Sequence, residues 1–296
     1  MHLSGKTINL ILGDYTATIV TMGGAIAALK YRGHDITMPF NPETIPQGHN
    51  GKILAPWPNR LQDGKYTFDN QEYQLPVNDL VTNSASHGLV AWRDWTVSDL
   101  RASSATLKAY INPVYSYPFL IKMVAHYELI EGMGLKVDIT ALNAGKKPAP
   151  YGIGMHPYIT CDNAPLSECQ LTMPFKEVFA TDERKIPTEK VPVGDMGFDF
   201  TTKRPIGDTV IDHCFAADNG SLMKTVMLEN SKLQVYVKTP APFVQLFSAD
   251  KFGRVSLAVE PMSCPANSFN NKIGLITLKE QQYHTLSYVI GALEKI

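Results

Sequence analysis

The sequence predicts an all-β protein, a sandwich or barrel of short strands joined by frequent turns. Three observations carry that expectation. Apolar and polar residues alternate in short runs, the pattern of a strand with one buried face. Twenty prolines and 21 glycines punctuate the 296-residue chain. No stretch combines a sustained helical stripe with capping residues. Strands this short, with turns this close together, bury their apolar faces by stacking or closing sheets.

The elements follow in chain order. Tyr66-Thr67-Phe68 and Tyr73-Gln74-Leu75 flank Asp69-Asn70-Gln71, which reads as the turn of a tight hairpin. The stretch 105–111 places an apolar residue at every second position. Residues 122–130, rich in β-formers, lead through Glu131-Gly132-Met133-Gly134 into the alternating run 135–141, a second hairpin whose glycines supply the turn. The region 176–210 holds Pro187, Pro192 and Pro205 among many charges and is expected to be a long ordered loop or a peripheral excursion. Residues 233–237 alternate again. Residues 255–259 form a strand-like run that delivers Glu260 just before Pro261, which cannot continue a ladder as a donor. No linker, repeat or low-complexity tract divides the chain, so one domain spanning 1–296 is expected.

Composition narrows the function classes. Hydrophobic residues make up 44% and charged residues 19%, enough for a large core. The net charge of −1 offers no basic excess to neutralise phosphates, which argues against nucleic acid as a partner and against electrostatic attachment to a membrane. No apolar run approaches the length of a membrane span, and the first residues lack the basic start, apolar run and cleavage site of a signal peptide. Cys161, Cys169, Cys214 and Cys264 form no C-x-x-C pair. Reduced thiols in a cytoplasmic protein are expected, with Cys264 a small apolar filler.

Four separated segments set polar side chains beside glycine or proline: Pro56-Trp57-Pro58-Asn59-Arg60, His87-Gly88-Leu89, Gly154-Met155-His156-Pro157-Tyr158 and Val259-Glu260-Pro261. A carboxylate at the end of a strand is placed to face a cleft, although an ordinary surface glutamate fits the same local sequence. Histidine shuttles protons near neutral pH. Pro157 biases His156 towards extended backbone, and the glycines before it permit a close approach. A structural histidine remains the plainer reading of both His156 and His87. The stiff segment before Arg60 can hold its guanidinium at fixed geometry against a hydroxyl or carboxylate. Trp57 suits either a sugar face or the core. Asp212 and His213 are adjacent in an extended run, so they point to opposite faces and only one can line a given cleft. There is no nucleophile elbow, phosphate loop or dinucleotide fingerprint. The eight histidines show no H-x-x-x-H or H-x-H spacing that would recommend a metal. Arg93 and Lys52 are candidates for reading an anionic substituent, with nothing to place either in a cleft.

Taken together, these segments resemble the aldose 1-epimerase (galactose mutarotase-like) family over nearly the whole chain. The matching stretches are Asn59-Arg60, His87-Gly88, His156-Pro157-Tyr158, Ile211-Asp212-His213-Cys214-Phe215, Val244-Gln245-Leu246-Phe247 and Glu260-Pro261, in the family's order. The extended forms around Arg60 and His87 look most like a bacterial branch of the family, some of whose members are associated with sulfonated sugars. The resemblance implies a large antiparallel β-sandwich with few short helices and an open sugar cleft across one curved face. It also implies that Glu260 is the general base and His156 the general acid, and that Asn59, Arg60, His87, Tyr158, Asp212 and Gln245 bind sugar hydroxyls. The chain departs from the family's usual pattern at Ile159-Thr160-Cys161 and at 262–267, which bears on the substrate more than on the reaction.

The chemistry so implied is anomer exchange through the open chain. An unperturbed glutamate, with pKa about 4.3, is ionised at neutral pH and takes the proton of the anomeric hydroxyl, while protonated His156 donates to the ring oxygen. No cofactor is expected, because no redox change occurs. The expected partner is a small sugar, in a monomer or homodimer. Two other readings stay open: a glycosidase using Asp212 and Glu260 as a carboxylate pair, and a non-catalytic sugar sensor on the same scaffold.

Overall fold

The computed structural model describes residues 2–217 and 222–295. Its alternating segments assemble into a sandwich. One layer is a nine-stranded sheet in the order Thr96–Leu100, Ser104–Ile111, Ile121–Ile130, Gly134–Asn143, Tyr283–Glu294, Leu233–Thr239, Lys224–Glu229, Gln170–Thr172 and Arg204–Pro205. Against it pack a four-stranded N-terminal sheet (Thr7–Leu12, Tyr15–Val20, Ala25–Tyr31, His34–Asp35) and an eight-stranded sheet. The order in the latter is Pro187–Pro192, Glu177–Thr181, Asp212–Ala216, Phe243–Phe247, Leu257–Met262, Gly154–Met155 and Ile53–Leu54, and Tyr158–Ile159 also pairs with Leu257–Met262. The ladders between these strands are antiparallel, as the predicted fold class requires.

The predicted hairpins form. Ile121–Ile130 pairs with Gly134–Asn143 along its whole length. Lys65–Phe68 pairs with Gln71–Gln74, but the turn is one residue shorter than expected. Asp69 and Asn70 both take positive φ (51° and 58°), which closes a two-residue turn of the hand that suits twisted strands, and Gln71 is already paired. Among the described residues the single α-helix is Ser268–Asn271, besides four 3-10 turns. No described helix is long and apolar enough to cross a membrane. All four cysteines are free and buried.

The region 176–210 corrects the sequence reading. It is peripheral but not a loop: Glu177–Thr181 and Pro187–Pro192 form a hairpin at the edge of the eight-stranded sheet, and Arg204–Pro205 edges the nine-stranded one. Its prolines sit on edge strands, where one side of the backbone needs no ladder partner.

Strand alternation divides the eight-stranded sheet into two faces. Leu257 and Val259, Val244 and Leu246, and Phe215 enter the main core between the layers. Burial of each such side chain contributes roughly 1.5–3 kcal/mol. The intervening residues emerge on the other face. There, Met262, Cys214, Ala216, Phe179 and Phe243 form one small apolar cluster. Tyr158, Ala249 and Ala258 form another, against Met38, Phe247 and Phe252. Between the two clusters lies a row of polar and titratable side chains.

Candidate active site

Cross-strand register builds this row. Gln245 stands opposite Glu260 on one side and Cys214 on the other, and Asp212 stands opposite Phe247. Directly paired residues share a face. Asp212, Gln245 and Glu260 therefore project together from three neighbouring strands. His213 turns to the opposite side, with its ring 4.8 Å from that of Phe198, as the alternation predicts. Glu260 lies within the strand Leu257–Met262, which runs on through Pro261. It is thus not at the strand's end that the sequence predicts; what aims it at the cleft is the register of a central strand.

His156 follows the strand Gly154–Met155. Its backbone is clamped to the neighbouring chain, its N–H donating to Lys52 O at 3.0 Å and its carbonyl accepting from Gly51 N at 2.8 Å. The glycine before Met155 serves the predicted close approach, since a Cβ on Gly154 would lie 2.9 Å from Pro58 Cβ and 3.0 Å from Met262 Cγ. The imidazole Nε2 comes 3.3 Å from Glu260 Oε1. Two residues 104 positions apart thus touch inside one cavity, His156 5% exposed and Glu260 2%.

The cavity has a volume of about 200 Å³ and is walled by His49, Asn59, Arg60, His87, His156, Tyr158, Asp212, Gln245 and Glu260, with Gly48, Phe247 and Phe252. Each of the eight residues to which the family resemblance gives a role lines it. A larger groove of about 600 Å³ runs under the 65–74 hairpin, but it holds no histidine and no buried carboxylate. The titratable chemistry belongs to the smaller space.

Each wall is fixed from behind. Gln245 Nε2 donates to Asp212 Oδ1 at 2.8 Å. Asn59 Oδ1 accepts from the Arg60 backbone N–H at 2.8 Å and from Arg60 Nη1 at 3.3 Å. Arg60 Nε donates to Asp79 Oδ2 at 3.2 Å, and Asp79 is held in turn by Thr82 Oγ1 at 2.7 Å. The Tyr158 ring stacks on His156 with centroids 4.9 Å apart and planes 16° from parallel. Its hydroxyl donates to Gly48 O at 3.0 Å. His87 has its backbone N–H on Asn59 O, and its Nδ1 is buried without a hydrogen-bond partner, as is Glu260 Oε2.

Burial governs the proton affinities. It pushes the Glu260 carboxyl well above the usual range, Asp212 adds to the rise, and Arg60 opposes it. It drives His156 well below the usual imidazole value, with His49 and Arg60 adding to the fall. His87 is likewise lowered by burial and by the neighbouring His49. The expectation of an unperturbed, freely ionised glutamate beside a protonated histidine is therefore corrected. Desolvation disfavours both charged forms, so the carboxyl is biased towards the neutral acid and the imidazole towards its neutral form.

Several expectations change. Of the two readings of Trp57 the structure bears out the core: it is buried, and its Nε1 donates to Ala85 O at 3.1 Å. Lys52 and Arg93 do not line the cavity. Lys52 is fully buried, its ammonium donating to Ala91 O at 2.7 Å and lying 3.8 Å from the Trp92 ring centroid. Two residues escaped the sequence reading. His49 sits in Gly48-His49-Asn50-Gly51, the same glycine frame that singles out His156 and His87, so its signal was present. Asp79, which orients Arg60, carries no local mark in the sequence.

A sequence model of the aldose 1-epimerase family matches residues 6–291. The chain is 42% identical over 295 residues to the uncharacterized protein YihR of Escherichia coli K12, covering 100% of this chain and 96% of that one. Among solved structures it is similar to the GalM/aldose epimerase homologue from C. elegans, with a TM-score of 0.87, 20% identity, and coverage of 98% of this chain and 99% of that one. It is also similar to galactose 1-epimerase from Lactobacillus acidophilus NCFM, with a TM-score of 0.81, 20% identity, and coverage of 96% and 92%. At such identities these two likenesses speak for the galactose mutarotase-like sandwich. The family match extends over almost the entire sequence, and the chain belongs to the aldose 1-epimerase family.

Proposed function

We propose that the protein is an aldose 1-epimerase that interconverts the α and β anomers of an aldohexose or a derivative. The observation that carries this reading is the contact of Glu260 with His156 at 3.3 Å in a cavity also lined by the polar side chains of Asn59, Arg60, His87, Tyr158, Asp212 and Gln245. Glu260 takes the proton of the anomeric hydroxyl O1. The electron pair left on O1 forms the C1=O1 bond as C1–O5 breaks, and His156 delivers a proton to O5. Rotation about C1–C2 turns the aldehyde over. O5 then attacks the other face, returning its proton to His156, and O1 recovers its proton from Glu260. The pair holds one proton throughout, resting on Glu260 where burial raises the carboxyl and lowers the imidazole; that proton crosses the 3.3 Å contact to His156 before Glu260 accepts from O1. Arg60 and His87 hold oxygens and stabilise charge developing on them. Asp212 and Gln245 receive hydroxyls further along the ring. Nothing in this cycle calls for redox chemistry.

The test follows freshly dissolved α-glucose, α-galactose and a sulfonated hexose by NMR against an enzyme-free control. Catalysed approach to anomeric equilibrium supports the reading. Tight, saturable sugar binding with no acceleration would make the protein a sensor.

The glycosidase alternative needs Asp212 to share the work of Glu260. In the structure the first partner of Glu260 is an imidazole, and Asp212 is bonded to Gln245. Asp212→Asn is expected to raise KM about tenfold, the worth of one charge-assisted hydrogen bond, and to leave kcat within a few-fold. No aryl glycoside should be cleaved. A collapse of kcat equal to that caused by Glu260→Gln would favour hydrolysis.

The shared proton also fixes the pH profile. When the pair takes up a second proton, Glu260 cannot accept; when it loses the last, His156 cannot donate. Lowering of His156 moves the first limit below the ordinary imidazole range, and raising of Glu260 moves the second above the ordinary carboxylate range. A log plot of kcat/KM against pH should therefore show a plateau between these two limits, falling on both sides. A single acid limb at about 6.5, the value of a free imidazole, contradicts this account.

A further inference from the structure

The cavity has an end that the proposed mechanism does not use. Across the sheet the functional side chains run from Asp212 and Gln245 through Glu260 to His156, in strand order. Beyond His156 the row continues through imidazoles. The His87 ring lies 5.5 Å from that of His156, and the His49 ring 4.5 Å from that of His87. His49 lines the same cavity, yet neither ring nitrogen has a hydrogen-bond partner among the described residues. Its ring also meets that of Trp92 edge-to-face, with centroids 5.5 Å apart. Trp92 is held by the buried Lys52 ammonium lying over it at 3.8 Å. A lysine is buried here, a half-exposed tryptophan lies against it, and a histidine with neither ring nitrogen hydrogen-bonded among the described residues lines a sugar-sized space. Burial and the Lys52 charge push His49 down to about 4, so near neutrality it presents one donor and one acceptor.

On the epimerase reading, which this inference rests on, the direction of the row has a chemical meaning. Glu260 serves O1 and His156 serves O5. The ring atom past O5 is C5, and what C5 carries in a hexose is the exocyclic hydroxymethyl group. We propose that His49, braced by Trp92 and Lys52, is the hydrogen-bonding partner of the C5 substituent and sets the preference for hexoses over pentoses. The neutral imidazole donates to or accepts from the C6 hydroxyl. His49 is thus a specificity residue, and Trp92 and Lys52 are positioning residues that act through it.

Glucose and xylose isolate the group, because xylose is glucose without the hydroxymethyl. NMR anomer-exchange kinetics on both sugars should show wild type with the lower KM for glucose. His49→Phe keeps a ring and loses the nitrogens. It is expected to raise KM for glucose three- to tenfold, the range of one neutral hydrogen bond, with kcat within twofold and KM for xylose unchanged. His49→Gln, which restores a donor and an acceptor, should recover most of the loss. Trp92→Ala should imitate His49→Phe, because it frees the imidazole. Equal changes for the two sugars, no change for either, or a fall in kcat larger than the rise in KM would overturn the assignment. If wild type fails to accelerate exchange of either sugar, the epimerase reading itself has failed. Calorimetric titration of glucose and xylose into wild type and His49→Phe then still reports whether His49 reads the hydroxymethyl group.

Discussion

Replacing Glu260 with glutamine is expected to reduce catalysed anomer exchange by about 10³-fold, within the range of 10²–10⁴ for a positioned acid or base. The amide is nearly isosteric with the carboxyl and cannot accept the O1 proton. The buried position tolerates the change because the native group is itself poorly disposed to carry charge: burial and Asp212 hold its proton affinity high. Circular dichroism and the thermal midpoint should therefore stay close to wild type while the catalysed rate disappears. Sugar affinity should be largely kept, since Asp212, Gln245, Asn59 and Arg60 hold one another independently of Glu260. His156→Asn removes the partner acid and should lose a similar factor. The double variant should be little worse than either single one, because the two groups act on one proton count. Full rates in both single variants would end the assignment of roles.

Gly88→Ala carries the largest expected effect on stability. The glycine has φ of +71°, and a Cβ built on it would lie 2.1 Å from Ala55 O and 2.3 Å from Ala55 C. These are backbone atoms, so no side-chain rotation relieves the overlap. Ala55 and Gly88 form a parallel bridge, and Leu89 N–H donates to Ala55 O at 2.6 Å. Separating them pulls on the 55–60 segment and on His87 together. The left-handed backbone alone costs about 1–2 kcal/mol with a side chain, and a forced backbone shift adds about 1–3 kcal/mol. A loss of roughly 3 kcal/mol in chemical denaturation is expected. The control is Gly132→Ala. That glycine also has positive φ, +69°, but meets nothing within 4 Å. It should lose only the left-handed contribution of about 1–2 kcal/mol and keep wild-type KM. Equal losses at the two positions would show that steric contact with Ala55 is not the cause.

Alternation marked the strands around 105–111, 122–141 and 233–237, because burying one face of a strand requires apolar residues at every second position. It located the 121–143 hairpin and separated Asp212 from His213. It missed the strands between 176 and 210, because edge strands carry prolines and charges that read as loop. The six family stretches recovered the polar residues of the cavity, and a glycine frame like theirs marks His49 as well. Asp79 was out of reach: its role depends on a loop folding back on Arg60, a contact without a local pattern.

What the sequence determined by itself was the class of fold, the faces of the strands and the types of chemical group available. What only the tertiary structure decided was where the protons reside and which side chains are spent on support. Lys52 was a candidate ligand until the packing put its ammonium against Trp92 and Ala91. Glu260 was an ordinary carboxylate until the register of three strands buried it beside His156. The reason is physical. Alternation is a local property of the chain, whereas desolvation and contact depend on neighbours that arrive from elsewhere in the sequence.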